Sequence, residues 1–121
     1  MLMYKPPAPW TAAAGATVVF LAGSIEMGNA TDWQAALTVA LAARLADRAG
    51  HVVMLNPRHD AWDASWRQTI DELRFREQVE WELDGLDRAD VIAMWFAAET
   101  RAPITLLELG LHARGGKLVV G

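Results

Sequence analysis

Apolar residues along the chain alternate between short unbroken runs and longer stretches with helical spacing. Thr17 to Ala22 (TVVFLA) is a continuous run rich in β-branched residues and followed by Gly23, the pattern of a strand covered on both faces. After it, Trp33, Leu37, Ala40, Leu41 and Leu45 recur at helical intervals up to Gly50, and Thr31 and Gln34 have the spacing of a capping box. A helix over about residues 32–48 is predicted. His51 to Leu55 (HVVML) is a second apolar run, ended by Asn56 and Pro57, which completes a strand–helix–strand unit. Pro57 to Ser65 shows no period and reads as a loop, the longest irregular stretch and so a candidate site wall. Ser65 and Gln68 repeat the capping-box spacing, and Ile70, Leu73, Val79, Leu83 and Leu86 form a stripe that predicts a second helix from there to about Arg88. Asp90 to Phe96 (DVIAMWF) reads as a third strand. Pro103 suits the first turn of a third helix ending near Gly115, and Lys117 to Val120 reads as a fourth strand.

Alternating strands and helices with near-continuous apolar strands predict an α/β fold of flavodoxin-like or Rossmann-like type. Its doubly wound parallel sheet would have at least four strands in a three-layer α-β-α arrangement. The 121 residues make one domain's worth of chain. Residues 16–121 are expected to form that domain, and residues 1–15, punctuated by Pro6, Pro7 and Pro9, an extended N-terminal arm. Val119, Val120 and Gly121 break off within a strand, so the native chain is expected to continue past Gly121. Ligands of such folds bind beyond the carboxyl ends of the strands, which directs attention to residues 23–32, 56–62 and 97–108.

Composition narrows the function. The chain is 53% hydrophobic and 21% charged, without the 18 apolar residues in a row that a membrane span needs. Lys and Arg number 11 against 15 for Asp and Glu, a net charge of −4, which argues against nucleic-acid polymers as partners. With no cysteine there is no disulfide framework or thiolate chemistry. The N-terminus lacks the order of a signal peptide, so the expected location is cytoplasmic. Small domains of this kind often complete their sites with neighbours, and the N-terminal arm and a Trp-rich surface offer contact area, so a homo-oligomer is expected.

The segment Gly23-Ser24-Ile25-Glu26-Met27-Gly28-Asn29 joins a strand to a helix, where backbone N–H groups can hold an anion or a sugar hydroxyl; a plain turn meets the same description. It is neither a dinucleotide fingerprint nor a lysine-bearing phosphate loop, so no cofactor is expected. His51, His59 and His112 have no ligand spacing, so no metal is expected. Neither Ser24 nor Ser65 sits in a nucleophile elbow. The carboxylates remain. Glu108, within Leu106-Leu107-Glu108-Leu109-Gly110-Leu111, either completes a capping box with Thr105 or faces the crevice as a nucleophile or acid/base. Leu106, Leu107, Leu109 and Leu111 are expected to give it a dry surround that raises its pKa. Glu82 shares a ridge with Arg74 and Gln78, ordinarily a solvated helix face, yet a second carboxylate near Glu108 would supply the acid that glycosidic cleavage needs. Trp62 in the irregular loop can stack on a planar ring.

Phe20-Leu21-Ala22-Gly23-Ser24-Ile25, Leu55-Asn56-Pro57-Arg58, Glu82 followed eight residues later by Ala89-Asp90-Val91-Ile92, and Leu107-Glu108-Leu109-Gly110 occur in one order. Together they resemble the nucleoside 2-deoxyribosyltransferase-like family, including its 2′-deoxynucleoside 5′-phosphate N-hydrolase branch, over residues 17 to 121. The resemblance implies cleavage or transfer at the N-glycosidic bond of a nucleoside or its 5′-monophosphate, through a covalent glycosyl-enzyme. Glu108 would be the nucleophile. Glu82 would manage sugar binding and the proton at the base, where the family carries Asp. Gly23, Ser24, Ile25, Asn56, Arg58, Trp62 and Asp90 are the substrate-binding candidates. The aspartate that transferases often carry six residues before the nucleophile is Ala102 here, and the family's tyrosine near the first strand has no clear match. These departures motivate an alternative, a nucleoside- or nucleotide-sensing module that has lost turnover.

Overall fold

The computed structural model describes residues 1–25, 31–63 and 65–121. Its strands are Leu2–Tyr4 (β1), Thr17–Gly23 (β2), Val52–Leu55 (β3), Val91–Trp95 (β4) and Leu118–Val120 (β5). All pair in parallel in one sheet of order β1-β3-β2-β4-β5. The helices are Trp33–Arg44 (α1), Leu73–Arg88 (α2) and Pro103–His112 (α3). The expected doubly wound α/β architecture is the observed one, with one strand more than the apolar runs reveal. Leu2–Tyr4 is too short to show a period, and its partners Val53 to Leu55 lie far along the chain.

The two sheet faces separate the core by strand alternation. Val18, Phe20, Ala22, Val53, Leu55, Ile92 and Met94 turn to one face, with Trp81, Leu86 and Ala89 of the α2 region and Leu109 of α3 packed over them. Leu21, Val52 and Met54 turn to the other, covered by Trp33, Leu37 and Leu41 of α1 together with Leu45. Helix α2 lies close on the sheet because Gly85 has no side chain; a Cβ there would stand 2.8 Å from the Phe20 ring. The N-terminal arm packs against α2 and joins the core on that side. Trp10 is buried under the Arg88 guanidinium, 3.9 Å from its ring centroid, and the Trp81 indole N–H donates to the Ala8 carbonyl at 2.8 Å.

Helix starts depart from the capping-box reading twice. Asp32, not Thr31, caps α1, its carboxylate accepting the Ala35 N–H at 3.0 Å, and Gln34 is fully buried with other partners. Helix α1 stops at Arg44, before the expected 48, and a 3-10 turn at Ala49–His51 leads into β3. Helix α2 begins at Leu73 rather than near Ser65. The Ser65 N–H donates to the Asp63 carboxylate at 2.8 Å, a side-chain turn that competes with helix nucleation there. Among the described residues no helix is long and apolar enough to cross a membrane.

Candidate active site

From β2 the chain crosses to β3 on one side, then returns past β2 to β4 on the other, so the loops after β2 and β4 part and leave a crevice. A cavity of about 690 Å³ occupies it. Ala22, Gly23 and Ile25 line it from the end of β2, Pro57, Arg58, His59 and Trp62 from the loop after β3, Phe75, Gln78 and Glu82 from α2, and Ala102, Thr105 and Glu108 from the start of α3.

Gly23 is required where it stands. Its φ of +148° is open to glycine, and a Cβ would collide with the Trp95 carbonyl and come within 2.7 Å of the Trp33 indole. Replacing Gly23 with Ala is expected to cost roughly 2 kcal/mol or more. Urea denaturation followed by fluorescence checks this, and an unchanged midpoint would contradict it.

Helix α3 presents its polar side to the protein. Thr105 and Glu108 are buried, at 3% and 8% exposure, while Ile104, Leu106, Leu107 and Leu111 stand more than half exposed. The helix starts at Pro103 behind Ala102, a residue in the left-handed conformation, so Glu108 lies well inside it. The Thr105–Glu108 capping box is therefore not formed. Nor do the leucines shield Glu108, since three of the four point to solvent; its burial comes from the turn of α3 toward the body of the protein. One carboxylate oxygen, Oε2, is buried without a hydrogen-bond partner among the described residues, and burial pushes the Glu108 pKa up to about 7.

Helix α2 is turned in the same sense. Ile70, Leu73 and Leu83 of the apolar stripe are exposed, and the buried face carries Gln78, Trp81, Gly85 and Leu86, with Glu82 partly buried beside them. The expected solvated ridge holds for Arg74 alone. Burial, and then the nearby Glu108 charge, push the Glu82 pKa up to about 8, against the pull of a hydrogen bond from Gln78. Two carboxyl groups in one desolvated site cannot both ionise easily, and each holds its proton to a higher pH than an ordinary glutamate.

Six of the nine predicted site residues meet at the cavity: Gly23, Ile25, Arg58, Trp62, Glu82 and Glu108. Arg58 is braced there, donating from Nε to Gln34 Oε1 at 2.9 Å and from an Nη to the Thr31 carbonyl at 2.8 Å, with the Asp32 carboxylate 3.4 Å away. Ser24 and Asn56 lie behind the wall. The Ser24 hydroxyl accepts the Ala97 N–H at 3.0 Å and pairs with Thr100, and Asn56 Oδ1 accepts the Arg58 N–H at 3.0 Å, so both shape loops rather than line the cavity. Asp90 stands at the opposite, amino end of the sheet, where its carboxylate accepts the Val18 N–H at 2.8 Å. A strand-entry position cannot reach a site beyond the strands' carboxyl ends. Residues 26–30, part of the predicted anion-holding turn, lie outside the described residues.

Gln78, Thr105, His59 and Lys5 line the cavity without having been singled out as site residues. The Arg74-Gln78-Glu82 spacing held the signal for Gln78. Lys5 arrives only through β1, its ammonium 2.8 Å from Asp60. Trp62 and Trp66 meet edge to face at 5.1 Å, with His59 against both. The Trp62 indole N–H is buried without a hydrogen-bond partner among the described residues.

Residues 16–121 match the family model described as nucleoside 2-deoxyribosyltransferase like. No curated protein matches the chain. A crystal structure of a conserved protein from Enterococcus faecalis V583 has a similar fold, with a TM-score of 0.55 and 13% sequence identity over 87% of this chain. The match covers 62% of that protein, so the present chain spans less than two thirds of it.

Proposed function

This chain belongs to the nucleoside 2-deoxyribosyltransferase-like family, and from that premise we propose that its cavity cleaves the N-glycosidic bond of a deoxynucleoside or its 5′-monophosphate. The family supports glycosyl transfer or hydrolysis on nucleosides in general; the roles of individual residues are the proposal. The observation that carries it is the pair of carboxyl groups lining one cavity, Glu108 with a buried oxygen that has no hydrogen-bond partner among the described residues and Glu82 beside it, both with pKa values raised by burial. As the bond between C1′ and the base nitrogen breaks, its electron pair goes to the base and the Glu82 proton moves to that nitrogen. The Glu108 oxygen closes on C1′ and collects the oxocarbenium charge as a covalent glycosyl-enzyme. A 2-deoxy sugar eases this step because it has no electron-withdrawing 2′-hydroxyl. Water then releases the sugar, or a second base accepts it. Trp62 and Phe75 offer apolar surface for the base.

Incubating the protein with a panel of deoxynucleosides and their 5′-monophosphates, with and without a second base, and separating products by chromatography tests this. Free base is expected, and a new nucleoside would identify transfer. Binding in calorimetry without any base release would overturn turnover in favour of the sensing module. The expected homo-oligomer belongs to the same reading: α3, having turned its polar residues to the cavity, exposes Ile104, Leu106, Leu107 and Leu111. A monomer in sedimentation at micromolar concentration would contradict it.

A further inference from the structure

Gln78 precedes Glu82 by one helical turn on α2, so the two side chains share the face turned to the cavity. Gln78 is buried, and its Nε2 donates to the Pro57 carbonyl at 2.9 Å. A carbonyl oxygen only accepts, so this bond fixes the amide's orientation; turned over, it would set Oε1 against the Pro57 oxygen. The second N–H of the same nitrogen remains on the cavity face that Glu82 shares one turn further on, and Gln78 acts to lower the Glu82 pKa. Oε1 is left buried and without a hydrogen-bond partner among the described residues. A buried amide that only filled space would not keep an orphaned acceptor in order to aim its donors.

We propose that Gln78 is a positioning residue for Glu82: anchored on the Pro57 carbonyl, its amide holds the Glu82 carboxyl in the cavity and steadies the carboxylate left once the proton has been delivered. Where the proton goes rests on the proposed glycosidic reaction; the hold on Glu82 does not. The charged groups sharing the cavity with Glu82 are Glu108 from α3, Asp32 ahead of α1, Arg58, His59 and Asp60 from the loop after β3, and Lys5 beyond β1. Burial and Glu108 both favour the protonated acid, and the Gln78 N–H opposes them. Without that N–H the acid would hold its proton more tightly and transfer it less readily to the departing base.

Gln78→Met preserves length and volume while removing both N–H donors. The test is a carbon-13 titration of the glutamate carboxyls in the full chain, the Glu82 signal being assigned by its loss in Glu82→Gln. The Glu82 midpoint is expected to rise by roughly one pH unit in Gln78→Met, about a tenfold change in proton affinity. In steady state kcat for base release is expected to fall about tenfold with KM nearly unchanged, and the upper limb of the pH profile to move up with the titration. A general loss of folding lowers the amplitude and leaves the limb in place. Should Gln78→Met not fold, Gln78→Asn, which keeps the amide but cannot span from Pro57 to Glu82, is read in the same way. An unmoved Glu82 midpoint in a folded variant overturns the proposal. A moved midpoint in a protein whose wild type releases no base upholds the hold on Glu82 and overturns the glycosidic reading instead.

Discussion

Replacing Glu108 with Gln is expected to lower base release by on the order of 10⁴-fold while ligand binding persists. The amide is nearly the same size and still polar, so the cavity keeps its shape, but no carboxylate oxygen is left to close on C1′. Helix α3 is not expected to lose stability, because Glu108 lies past the helix start and caps nothing. A buried carboxyl with an unpartnered oxygen is a burden on the fold rather than a support. The same substitution removes the charge that raises the Glu82 pKa, so Glu82 is expected to titrate lower in Glu108→Gln than in the wild type. Chromatography of released base, calorimetry of binding and a melting curve read the three effects separately. Wild-type rates in Glu108→Gln would refute the nucleophile assignment whatever the other two showed.

Activity should be confined to a narrow band of pH, because attack needs Glu108 ionised and donation needs Glu82 protonated. With pKa values pushed up to about 7 and about 8, kcat/KM is expected to rise as Glu108 loses its proton and to fall as Glu82 does. Glu82→Gln removes the falling limb and costs roughly 10²- to 10⁴-fold in rate. Stability should run the other way. Both carboxyls bind protons more tightly in the folded chain than near 4.5, their ordinary value. Their contribution is therefore fully present below that value and is lost as pH rises through about 7 and 8. Wild type is expected to unfold more readily at pH 9 than at pH 5.5, with Glu82→Gln flattening that slope by on the order of a few kcal/mol. Urea midpoints across pH measure it. A mutant that loses activity and gains alkaline stability together would mark Glu82 as a group kept for chemistry at the expense of the fold.

The alternation of apolar runs and helical stretches was enough for the parallel sheet, its central strands and the end of the sheet where the cavity lies. Those follow from local chemistry, since β-branched runs such as Thr17–Val19 favour extended chain and strand–helix–strand connections have one hand. The order of four short motifs likewise pointed to Glu108 and Glu82 before their surroundings were known. Which face each site helix buries was not legible. In α2 and α3 the positions turned to the cavity are polar, Gln78 and Glu82 in one, Thr105 and Glu108 in the other, while Leu73, Leu83, Leu106, Leu107 and Leu111 point outward. A hydrophobic stripe predicts the buried face only when burial is the residues' sole task, and around a cavity that needs charge the stripe misleads by part of a turn. The strand β1 and the seat of Lys5 were also decided by tertiary structure. Each depends on pairing between distant segments, which no local window of the chain records. So do the raised pKa values, because a carboxyl's ordinary affinity for protons is a property of its side chain, but its desolvation belongs to the cavity that the whole fold closes around it.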